Sequence, residues 1–135
     1  MASIRKEISI DARSEDVWAA IRDVGAVHER LAPGFVTDTR LEGDEARIVT
    51  FANGLVVKEL IVDVDDDRRR LAYAARGGRS THHNASFQVF ADGERTRLVW
   101  IADLLPHEVA GPVGEMMDAG ARVMQRTLGG VKARV

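Results

Sequence analysis

Three side chains bring proton-transfer chemistry into otherwise apolar strand segments: Glu59, Tyr73 (the single tyrosine) and His83. A carboxylate or an imidazole can accept a proton, and a phenol can donate to a developing oxyanion. Whether the three meet depends on strand register, because strand side chains alternate between faces. A two-residue turn at Asp92-Gly93 would pair Phe87 with Leu98, Ala85 with Trp100 and His83 with Ala102. Arg95 and Arg97 belong in water, which sends His83, Ala85, Phe87, Val89, Thr96, Leu98, Trp100 and Ala102 inward. The Asn53-Gly54 turn is expected to pair Thr50 with Val57 and Ile48 with Glu59. Arg47 and Lys58 then face water, and Ile48, Thr50, Val57, Glu59 and Ile61 form the inner set. A three-residue loop at Asp65-Asp66-Asp67 places Glu59 opposite Tyr73, whereas a two-residue loop flips that strand. A carboxylate buried alone is costly, so Glu59 needs a partner, and Tyr73 can donate to it in this register. His83 can be a second partner or a proton acceptor near neutral pH. The other reading of these residues is a hydrogen-bonded structural pair with His83 near a solvent-facing rim.

Other motifs carry less. His82 and His83 are adjacent on a strand and point to opposite faces, while His28 and His107 are distant, so no metal and no cofactor are expected. Asp65-Asp66-Asp67 followed by Arg68-Arg69-Arg70 lacks the alternate ligands and glycine of a calcium loop and reads as a solvated hairpin turn. No nucleophile elbow, P-loop or dinucleotide fingerprint is present.

Composition bounds the class. The 135 residues suit one domain, here 1–135, with 45% hydrophobic and 30% charged residues. Lys plus Arg is 19 and Asp plus Glu is 21, a net charge of −2 that gives no pull toward nucleic acid or anionic membrane. There is no cysteine, which excludes disulfides, thiolate metal sites and cysteine nucleophiles. The start, MASIRKEISIDA, lacks the apolar run of a signal peptide, and no window suits a membrane span, so a cytoplasmic place is expected.

The elements that must position these residues follow from periodicity. Residues 3–10 alternate as a first strand. Ser14 is the expected N-cap of a helix over 14–23, with Glu15 and Asp16 in its first turn and Val17, Trp18, Ile21 and Val24 at helical spacing. Residues 26–31 suit one more helical turn, stopped by Ala32-Pro33-Gly34; that loop either simply ends the helix or gates a cavity mouth. Strands follow at Phe35–Leu41, Ala46–Ala52, Leu55–Asp63, Arg69–Ala75, His82–Phe90 and Arg95–Asp103. From Val109 the period changes: Val113, Met116, Met117, Gly120, Val123, Met124, Leu128 and Val131 lie on one face of a long helix. Pro112 marks its start, Gly120 leaves space in the stripe, and Gly129-Gly130 weakens its end. An α+β grip results, with an antiparallel sheet of six to seven strands curled around the terminal helix.

These residues resemble the START-like helix-grip superfamily (SRPBCC), in its polyketide cyclase/dehydrase branch. The resemblance is carried by Ala12, Val17 and Trp18, Pro33-Gly34, Glu59-Leu60, Arg70-Leu71 with Tyr73, and Thr96, Leu98 and Trp100, and it spans nearly the whole chain. It implies a cavity between sheet and terminal helix that takes apolar or amphipathic small molecules. The inward set then supplies ligand contacts: Glu59, Tyr73 and His83 as a polar end, with Phe87, Leu98, Trp100, Met116, Met117, Gly120 and Met124 around it. The alternative is a cyclase/dehydratase, with His83 or Glu59 as base and Tyr73 as oxyanion donor. A further alternative is a homodimeric interaction module, because Val49, Phe51, Val56, Leu60 and Val62 are expected to cluster on the outer sheet face.

Overall fold

The chain runs as β1 (Ala2–Ile10), α1 (Ser14–Arg22), a π-type turn (Val27–Leu31), β2 (Val36–Glu42), β3 (Ala46–Phe51), β4 (Val56–Asp65), β5 (Arg70–Arg76), β6 (His82–Asp92), β7 (Arg95–Leu105), a tight helical turn (His107–Val109) and α2 (Ala110–Ala133). This computed structural model describes residues 2–133, with side chains for 2–129; the side chain of Val131 lies outside the described residues. All seven strands pair antiparallel in the order β1-β7-β6-β5-β4-β3-β2. The α+β grip is as the sequence implies, and α2 continues through Gly129-Gly130.

Core formation follows the alternation. Ile8 and Ile10, Leu71 and Tyr73, Phe87 and Val89, and Leu98, Trp100 and Leu104 turn one face inward. Met117, Met124 and Leu128 of α2 complete the cluster. Lys6 to Asp118 at 2.7 Å and Gln125 Nε2 to Ser9 C=O at 2.9 Å fix α2 along β1. Thr96 is fully buried and donates to the Ala12 carbonyl at 2.8 Å, which satisfies its hydroxyl.

Register differs from expectation at the three hairpins whose pairing the sequence predicts. Between β3 and β4 the loop is three residues, Ala52-Asn53-Gly54, closed by Phe51 N–H to Leu55 C=O at 2.8 Å, with Gly54 at φ +89°. Thr50 therefore pairs with Val56 and Arg47 with Glu59, a slip of one residue. A one-residue slip exchanges faces. Arg47 and Val49 become buried at 2% exposure each, half-buried Phe51 comes to line the same inner face, and Ile48 and Thr50 leave the inner set. The outer apolar cluster expected to support a homodimer thus loses Val49 and Phe51.

Between β4 and β5 the loop is four residues, 66–69, ended by Arg69 at φ +52°, and a bulge falls between Ile61 and Asp63. Glu59 consequently pairs with Ala75, and Tyr73 with Ile61; the bulge compensates the longer loop, so Glu59 and Tyr73 still share the inner face. Between β6 and β7 the turn is Gly93-Glu94, which shifts pairing by two and leaves faces unchanged: Phe87 meets Trp100 and Val89 meets Leu98.

Two local expectations change as well. Ser14 is not the N-cap; Arg13 holds that position without a side-chain bond, and Ser14 Oγ instead accepts from Arg69 at 2.6 Å. The second helical turn is π-type, with Ala32 N–H donating to Val27 C=O at 2.8 Å.

The acidic hairpin is a strut rather than a freely solvated turn. Asp66 Oδ1 accepts from Trp18 Nε1 at 2.9 Å and from Arg22 Nε at 2.8 Å, which ties the β4–β5 turn to α1. Arg22 first, and Trp18 second, hold the Asp66 carboxyl below its ordinary range. A carboxyl lowered in the folded state contributes stability that is present above its unfolded value and lost as pH falls through its native value. Asp66→Asn is therefore expected to lower the melting temperature at neutral pH, with the gap to wild type closing toward strongly acidic pH. A pH series of thermal melts followed by Trp fluorescence checks this.

Candidate functional site

A cavity of about 800 Å³ lies between the inner sheet face and α2. Its wall is mostly apolar: Val49, Val57, Phe87 and Trp100 come from the sheet, Leu31 from the π-type turn, and Met116, Met117 and Met124 from α2. Its polar wall groups include Arg47, Glu59, Tyr73 and His83.

Among the described residues, Arg47 and Glu59 are the buried charges. Arg47 Nε donates to Glu59 Oε1 at 2.7 Å, and the two residues are 2% and 7% exposed. Arg47 Nη1 also donates to the Val24 carbonyl at 3.3 Å, between α1 and the π-type turn. Its guanidinium lies 5.4 Å from the Tyr73 ring centroid, within cation–π range. Tyr73, Phe87 and Trp100 continue as an aromatic stack, with centroids 6.0 Å and 4.9 Å apart. Trp100 Nε1 donates to Tyr73 Oη at 3.1 Å, which leaves the phenol hydrogen available to a ligand.

This arrangement revises the expected roles. Glu59 is satisfied by Arg47, and Tyr73 is bonded to Trp100. Burial, and then the charge of Glu59, push the Tyr73 phenol well above its ordinary value, so it stays protonated. Burial lowers His83, opposed by Glu59 and reinforced by His82. His83 is thus a neutral imidazole at neutral pH, able to accept or donate.

Of the remaining expected contacts, Phe87, Trp100, Met116, Met117 and Met124 reach the wall. Leu98 is fully buried in the core and does not line the cavity. Gly120 does not open the cavity. A Cβ there would meet Phe35 Cε2 at 3.0 Å and Trp100 Cη2 at 3.4 Å, so the missing side chain is where those rings seat against α2. Phe35 in turn meets Phe51 edge-on at 5.5 Å, and both line the cavity.

Arg47 is the residue that sequence reasoning missed. Its signal was present: Ala52-Asn53-Gly54 also suits a three-residue hairpin with glycine at the left-handed position. Among the described residues, no three His, Asp or Glu side chains group to hold a metal, and no helix is long and apolar enough to cross a membrane.

A family model described as polyketide cyclase / dehydrase and lipid transport matches residues 1–135. A solution NMR structure from Thermobifida fusca is 26% identical with a TM-score of 0.80, covering 99% of this chain and 95% of that one. A START superfamily protein from Mycobacterium smegmatis is 12% identical with a TM-score of 0.73, covering 98% and 97%. An aromatase/cyclase from a Streptomyces species is 18% identical with a TM-score of 0.71, covering 98% and 94%. No curated protein matches by sequence.

The ion pair sets a stability test. Arg47→Met leaves Glu59 buried without its partner and is expected to cost about 3–5 kcal/mol. The double variant Arg47→Met/Glu59→Met removes both charges and is expected to recover most of that loss. Urea unfolding of the four proteins in the cycle measures the coupling.

Proposed function

Because the chain belongs to the polyketide cyclase/dehydrase and lipid transport family, we propose that it binds a small, largely apolar or aromatic molecule between the sheet and α2. One observation carries this reading: a cavity of about 800 Å³, within the range of small-molecule sites, has a mostly apolar and aromatic wall with a few polar groups in it. Methionines on α2 suit such a site, since an unbranched thioether adapts to irregular ligand shapes. Tyr73, Phe87 and Trp100 offer a continuous aromatic face to a planar ligand.

A cyclase/dehydratase reading has less support. It requires a base beside a carbonyl, and Glu59 Oε1 is already engaged by Arg47 Nε at 2.7 Å. His83, kept neutral by burial, is the remaining candidate base, with Tyr73 as oxyanion donor.

Native mass spectrometry of the purified protein, followed by organic extraction, tests the binding reading and identifies the ligand class. A co-purifying apolar compound supports it. Added at about a hundredfold excess over Kd, such a compound should raise stability by about 2.7 kcal/mol. Ala75→Phe projects a ring into the cavity from β5 and is expected to abolish that gain while the variant remains folded by circular dichroism. A protein without bound compound, whose melting temperature ignores a panel of apolar ligands, would overturn the proposal.

A further inference from the structure

The cavity reading leaves open what head group the ligand carries, and the Arg47–Glu59 pair bears on that choice. Arg47 uses Nε on Glu59 and Nη1 on the Val24 carbonyl, and Glu59 accepts through Oε1. Among the described residues, the only sealed side-chain polar atom without a partner is His28 Nδ1, so Arg47 Nη2 and Glu59 Oε2 are not sealed off. Both residues line the cavity, which therefore receives donors from one charge and an acceptor from its opposite.

Resting on the binding reading, we infer that the site selects a ligand with an uncharged hydroxyl or carbonyl head and rejects carboxylate and ammonium heads. The physical reason is neutrality. One positive and one negative charge sit side by side at 2.7 Å, and the other polar groups of the wall, apart from Arg79 and Glu115, carry no charge: Tyr73, His83, Asn53 and Ser80. The exposed charges of the wall, Arg79 and Glu115, again cancel. A carboxylate entering this space gains Arg47 but meets Glu59, and an ammonium gains Glu59 but meets Arg47. Neither recovers the hydration it gives up. A hydroxyl has no charge to desolvate; it can accept from Arg47 Nη2 and donate to Glu59 Oε2. A carbonyl, which only accepts, is served by the donors alone, Arg47 and the Tyr73 phenol. Burial of Tyr73 and His83 keeps both groups neutral, so neither adds a charge that would tip the balance.

The test uses the whole chain and three probes of matched ring size at neutral pH: naphthol, naphthoate and naphthylmethylammonium, titrated by calorimetry. Naphthol is expected to bind about tenfold or more tightly than either ion. Glu59→Gln leaves the guanidinium uncompensated and is expected to reverse the order in favour of naphthoate. Arg47→Gln/Glu59→Gln restores neutrality and is expected to prefer naphthol again, which keeps a check available if the single variant does not fold. Naphthoate binding to wild type as tightly as naphthol overturns this inference and leaves the cavity reading standing. Binding of none of the three, together with no extractable compound, overturns the cavity reading and this inference with it.

Discussion

A buried ion pair, Arg47 with Glu59, ties together the parts of the molecule that surround the cavity. Through Nε it joins β3 to β4, and through Nη1 it reaches the Val24 carbonyl in the connection between α1 and the π-type turn. Over the Tyr73 ring it contacts β5. Removing two charges from water is costly, and a single short bond between them returns only part of that cost. The extra backbone contact and the aromatic face are what make the burial tolerable. The pair thus constrains register: only the observed pairing of β3 with β4 sets the two charged groups directly opposite each other.

Around that constraint the remaining elements divide the work. The aromatic run from Tyr73 through Phe87 to Trp100 makes a rigid wall on the sheet side. Methionines make an adaptable wall on the helix side, and Gly120, outside the wall itself, lets Phe35 and Trp100 lie close to α2. The π-type turn brings Val27 and Leu31 to the same space. Away from the cavity, Asp66 braces α1 against the β4–β5 turn through Trp18 and Arg22. A sheet open on one side and closed by a helix on the other leaves interior volume whenever the wall residues are too small to fill it. Ala75, Val49 and Val57 are of that size.

Much of this could be read from the chain. Alternation located all seven strands within a few residues, and spacing of three and four located both helices. On β6 and β7 the charged residues Arg95 and Arg97 oriented the strands correctly although the pairing itself was displaced by two. The expected inward placement of Glu59, Tyr73, His83, Phe87 and Trp100 agrees with the wall of the cavity. Arg47, expected in water, is instead buried. The preference of arginine for solvent is a statistical tendency, and a partner of opposite charge opposite it on the next strand overrides it.

The sequence alone determined the element order, the face of most strands and the apolar stripe of α2, because these depend on periodicities carried by neighbouring residues. Tertiary structure decided the β3–β4 register, the bulge in β4 and the partnership of Arg47 with Glu59. Locally, Ala52-Asn53-Gly54 is compatible with a two-residue or a three-residue loop. The choice between them reverses which side chains of β3 are buried, and it is settled by what each face then meets: Val49 and Phe51 against the interior, and a guanidinium against a carboxylate.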